Sequence, residues 1–147
     1  MIVSKVFVSD LFKYTYKEHY DDHDGWLDFY YNFYNYKNFG DQIPLFGRDA
    51  PLDTKHLSHI HLARNEEVVQ RWSNKSQNND RTTFINRPEL DYWLIYAVDK
   101  IENSYLMLSI IGPNAHNREK WTTLYNGYLT DIVEPWISGK TIYEEID

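Results

Sequence analysis

Two near-continuous apolar runs limit what this chain can become: YWLIYAV at 92–98 and YLMLSII at 105–111, separated only by DKIENS. Runs of seven residues rich in Ile, Leu, Val and Tyr are too short for buried helices and suit central strands. The polar hexapeptide between them favours a hairpin, so two antiparallel strands form the middle of the sheet. Pro113 ends that sheet, since a proline has no N–H for a ladder. The remaining elements have to cover these strands.

At the N-terminus, IVSKVFV (2–8) is β-branched and partly alternating, which predicts an opening strand. Ser9 and Asp10 offer capping oxygens for a helix through about Tyr20. Asp21, Asp22 and Asp24 then precede WLDFYYNFYNYKNF and Gly40 follows it, which is acidic-start and glycine-end punctuation for a second helix. From 41 to 58 the turn formers Pro44, Gly47 and Pro51 dominate, predicting a loop with room for a short strand. HIHLAR (59–64) reads as a strand with Ile60 and Leu62 inward and His59, His61 and Ala63 on the other face. WSNKSQNNDR (72–81) is polar and predicts a mobile loop. Trp121, Leu124, Tyr125, Tyr128, Leu129, Ile132 and Val133 follow helical spacing for over three turns, with Pro135 as the expected stop and the acidic TIYEEID as a fraying tail. The expected fold is α+β, a single domain over 1–147: a strand, two helices, an antiparallel sheet and a C-terminal amphipathic helix.

The chain has no cysteine, which excludes thiolate zinc sites, disulfides and cysteine nucleophiles. No apolar run reaches the roughly 18–20 residues of a membrane span, and MIVSKVFVSD is too short and alternating for a signal peptide, so a cytoplasmic protein is expected. The net charge of −7 argues against a free-standing nucleic-acid binder. That charge is uneven, however. Residues 48–87 hold seven Lys/Arg against five acids, while 88–147 hold four against ten.

The basic middle also carries the densest chemistry, PLFGRDAPLDTKHLSHIHLAR at 44–64. His59 and His61 leave one face of a strand with about 6.5–7 Å between Cα atoms. Two imidazoles so placed can address one phosphate, and ordinary pKa values near 6.5 let one act as base and one as acid. Arg48 follows Gly47 in a loop that a ligand can approach closely, and its guanidinium suits a phosphorane. Asp49 is a candidate for orienting Arg48 or a histidine. His116, at the exit from the last strand, can reach the pair if both strands share a sheet. Exposed Tyr and Trp near this face would sandwich a base.

FGRDA (46–50), HIHLA (59–63) and P-x-x-H (113–116), in that order, resemble the YafO family of type II toxins over roughly 43–118. That family is similar to RelE-type toxins, small α+β proteins that cleave mRNA in association with the translating ribosome and are silenced by a cognate antitoxin. The resemblance implies an endoribonuclease with no cofactor and no metal, partnered by antitoxin, mRNA and ribosome. It points to Arg48, Asp49, His59, His61 and His116 as the catalytic set. Lys55, Arg64, Arg71 and Arg118 are expected to hold the RNA backbone. This chain departs from RelE-like toxins in being acidic and in carrying an extra acidic tail.

Two other classes fit parts of the sequence. His59, His61 and Glu66 resemble half of a cupin metal motif, with His116 as a further ligand, although Asp53 stands where a glycine is expected. An acidic, aromatic-rich binder of the immunity or antitoxin kind fits the net charge.

Overall fold

The computed structural model describes residues 2–20, 25–84 and 86–146. The apolar runs become β4 (Tyr92–Asp99) and β5 (Ser104–Ile111), antiparallel neighbours as expected. Around them a five-stranded sheet forms in the order β1-β5-β4-β3-β2. β1 (Lys5–Val8) pairs parallel with β5, while β3 (Leu57–Leu62) and β2 (Phe46–Pro51) add antiparallel strands on the other side. The loop expected over 41–58 contains the short strand it had room for, β2, which begins with a bulge between Phe46 and Asp49.

α1 (Asp10–His19) starts where Ser9 Oγ accepts the Phe12 N–H at 3.0 Å. α2 (Gly25–Phe39) presents Phe29 and Phe33 to the sheet, and Gly40 follows at φ +70°. Asp21, Asp22 and Asp24, expected to open this helix, lie outside the described residues. Together α1 and α2 cover one face, burying Phe12, Phe33, Phe46, Ile60, Leu94 and Met107. α4 (Arg118–Tyr128) and its continuation cover the other, over Ile95, Ala97, Leu106 and Leu108. Each Leu, Ile, Phe or Met among these, taken fully out of water, contributes about 1.5–3 kcal/mol.

One stretch left unassigned gains an element, and three local expectations change. Residues 66–72 form a helix, α3 (Glu66–Trp72), capped by Asn65 Oδ1 on the Val68 N–H at 2.9 Å; its single Val68–Trp72 stripe is too short to stand out in the sequence. The polar segment after it is clamped, because Arg81 is buried and donates to the carbonyls of Lys75, Ile43 and Phe46 at 3.0, 3.1 and 3.1 Å. Pro135 does not stop the last helix. A π-helical turn at Leu129–Val133 shifts the carbonyls that its ring would otherwise meet, and α5 (Glu134–Ile137) continues. The described part of the acidic tail, 141–146, is packed: Tyr143 lies on the α4 side, Ile146 on the α1–α2 side, and Glu145 pairs with Lys5 at 2.8 Å. Among the described residues, no helix is long and apolar enough to cross a membrane.

Candidate functional site

Strand alternation decides the site. In β3, Ser58, Ile60 and Leu62 turn toward α1 and α2, and His59 and His61 toward α4. Register places His61 opposite Trp93 and His59 opposite Ile95, so one row of this face is histidine and the next is indole and aliphatic. The rings pack: His59 to Trp93 at 3.9 Å between centroids, His59 to His61 at 5.3 Å, His61 to His116 at 5.3 Å and Trp93 to His116 at 4.8 Å. The strand pair and the loop after β5 therefore bring all three sequence-predicted histidines together.

Burial sorts them. His59 and His61 are almost fully covered, whereas the His116 side chain is more than half exposed. Desolvation pushes His59 down to about 4, against a partly compensating carbonyl contact from Ala50. It pushes His61 down to about 3, helped by the neighbouring His59 and His116 rings. Both rings are thus held neutral well below the pH at which a free imidazole gains its proton. His59 Nδ1, His61 Nδ1, Trp93 Nε1 and Tyr125 Oη are all buried without a hydrogen-bond partner. Native interiors rarely strand polar atoms in this way, and a cluster of them marks a place built for something else.

Asp91 supplies the residue that sequence reasoning missed. Its carboxylate is buried, takes the Thr83 hydroxyl on Oδ1 at 3.0 Å and the His116 backbone N–H on Oδ2 at 2.9 Å, and meets the His116 ring at Nδ1. Burial pulls this carboxyl upward in pKa, but the bonds from His116 and Thr83 outweigh it and hold it below the usual value. The pairing fixes the ring and leaves Nε2 as its free nitrogen. Asp91 stands at the mouth of the YWLIYAV run, and its position before an apolar strand was the one available signal.

Two clefts meet at this cluster. The larger, about 640 Å³, runs between β2, β3 and α4 over Trp93, Tyr125 and Leu129, with Lys55 and Arg118 at its rim. The smaller, about 590 Å³, is lined by Thr82, Thr83, Phe84 and Asn114. Arg48, His61 and His116 line both.

Arg48 is aimed by its surroundings. Gly47 has no room for a side chain, since a Cβ there would stand 2.4 Å from the Arg81 carbonyl oxygen and 2.7 Å from the Trp72 ring. The Arg48 N–H donates to the same Arg81 oxygen at 3.0 Å and its Nε to the Asn79 carbonyl at 3.0 Å. Among the described residues no carboxylate pairs with it.

Asp49 is not brought to the cluster. It turns to the opposite face, where it accepts from Lys37 Nζ at 2.6 Å, Tyr36 Oη at 2.8 Å and Tyr96 Oη. Nor do all the expected RNA-holding cations converge. Lys55 and Arg118 line the larger cleft, Arg118 in an exposed pair with Asp53 at 2.9 Å. Arg64 instead lies over the Tyr20 and Tyr92 rings and donates to the His19 carbonyl, and Arg71 lies over Phe84. The cupin-like set fails as well. Glu66 opens α3 and binds Gln70 at 3.0 Å, and the sheet is open rather than a barrel. The residues whose donor atoms converge are His61, Asp91 and His116.

No curated protein and no solved structure matches this chain. A family model described as toxin YafO of type II toxin-antitoxin systems matches residues 34–138. This span holds Arg48, the three histidines, Asp91, Trp93 and both clefts, and by this match over most of its length the chain belongs to the YafO toxin family.

Proposed function

We propose that this toxin is an endoribonuclease that cuts mRNA on the translating ribosome, in the cytoplasm, and that a cognate antitoxin silences it. The whole chain acts as one toxin domain. The observation that carries the reading is the convergence of Arg48, His61 and His116 where two clefts meet, each large enough for a nucleotide. A phosphate at that junction has a cation, a neutral imidazole and a second, carboxylate-held imidazole around it, which is the set that RNA scission needs.

His61 takes the proton of the 2′-OH, whose oxygen attacks the adjacent phosphorus. His116 gives a proton to the departing 5′-oxygen, and the products are a 2′,3′-cyclic phosphate and a 5′-OH. Arg48 neutralises the charge that grows on the phosphorane oxygens. His59, packed against Trp93, supports His61 from beneath, while Lys55 and Arg118 hold flanking phosphates. Asp91 is a positioning residue that acts through His116. Each imidazole contributes about 10²–10⁴-fold in rate.

Inducible expression tests the reading. Wild-type protein is expected to arrest growth and leave discrete cuts inside translated mRNA by primer extension, and His61→Ala/His116→Ala to do neither. A soluble, folded wild-type protein without arrest or cuts would refute it.

A further inference from the structure

We propose that His61, Asp91 and His116 bind a divalent transition ion of the zinc class, and that this ion competes with RNA for the two imidazoles. The donor atoms, one from each residue, all lie within 4.8 Å of one another. Zinc–nitrogen bonds of about 2.0–2.1 Å put tetrahedral ligands about 3.4 Å apart, so moderate side-chain rotation closes the set. His116 is the member that makes it, exchanging its ring contact with Asp91 Oδ2 for the ion, and its side chain on the loop after β5 is more than half exposed.

The chemistry of the donors suits the ion. Two imidazoles and one carboxylate form a common three-residue zinc set with a fourth position left open. Asp91 Oδ1 is held by Thr83, which leaves Oδ2, the oxygen now shared with His116 Nδ1. His61 Nδ1 is buried and has no protein partner, an independent sign of a site awaiting something else. Both clefts open onto His61 and His116, so an ion has a path in.

The second half of the proposal rests on the nuclease reading. An ion on His61 and His116 takes up the lone pairs through which those rings exchange protons. Zinc thereby becomes an inhibitor of this toxin, and its removal restores activity.

Tag-free, metal-stripped protein titrated with Co²⁺ tests the site. We expect one equivalent to give a visible d–d band of low coordination number, displaced by Zn²⁺. Affinity should fall at least tenfold in His116→Ala, an exposed position whose loss spares the core, and in Asp91→Asn. His56→Asn, remote from the cluster, should leave it unchanged. No band, or a band indifferent to His116→Ala, would overturn the site. In RNA cleavage, one equivalent of Zn²⁺ should lower the rate at least tenfold and EDTA restore it. Cleavage that is unchanged or faster at full occupancy would overturn the competition. Protein that binds Co²⁺ as described but cuts nothing when metal-free would refute the nuclease reading and leave the metal site standing.

Discussion

At the residue scale, the site is a set of side chains whose burial and partners shift their protonation equilibria. Asp91 occupies one ring nitrogen of His116, which leaves the other for the proton exchange proposed above. His116→Ala is expected to slow single-turnover cleavage about 10²–10⁴-fold. Asp91→Asn should slow it at least tenfold while the circular dichroism spectrum stays native. A full-rate Asp91→Asn enzyme would remove Asp91 from the account. The buried pair makes a second prediction. His59 and His61 titrate near 6.5 in an unfolded chain but at about 4 and about 3 when folded. As pH falls below 6.5 the unfolded state takes up protons first, so stability present above that pH is lost progressively toward pH 4. Urea unfolding at pH 7 and pH 4.5 checks this: wild type should lose a few kcal/mol, and His59→Gln/His61→Gln much less. Asp91 is common to both proteins and cancels in the comparison.

At the element scale, β2 is the strand on which orientation depends. Its bulge and Gly47 turn Arg48 toward the histidines while Asp49 anchors the strand from behind to Lys37, Tyr36 and Tyr96. The Lys37–Asp49 pair is about 85 % covered, at 14 % and 16 % side-chain exposure, and sits among the Phe33, Tyr36, Tyr96 and Tyr105 rings. Removing one partner of such a pair leaves a charge stranded, so Asp49→Leu should cost about 3 kcal/mol in urea unfolding, and Asp49→Leu/Lys37→Met much less. An equal loss in the double variant would show that packing, not charge, holds β2. This strand is also where sequence reading reached its limit. FGRDAP lacks the alternation of a strand because the bulge and its glycine interrupt the period, so a short strand was legible only as a possibility within 41–58, and the side taken by Asp49 was not. The apolar runs of β4 and β5 and the Ser9 cap were legible because each is a local rule, obeyed locally. The meeting of His116 with β3 was legible only as a condition on strand order, which local patterns do not encode.

At the scale of the whole molecule, an acidic chain places three of its fifteen Lys/Arg around one cleft. Arg48, Lys55 and Arg118 surround the larger cleft of a protein with net charge −7. The field far from the cleft repels nucleic acid and the field inside it attracts phosphate, which suits a nuclease delivered to RNA by a larger partner. The central claim is that the histidine cluster breaks RNA by internal attack of a 2′-OH. The most direct measurement is mass spectrometry of the ends left when purified toxin cuts a defined mRNA in a translating extract. The account predicts a 2′,3′-cyclic phosphate or its 3′-phosphate on one fragment and a 5′-OH on the other, with no cut where the nucleotide carrying the attacking hydroxyl is 2′-deoxy. A 3′-OH with a 5′-phosphate, and cutting that survives the 2′-deoxy substitution, would contradict it.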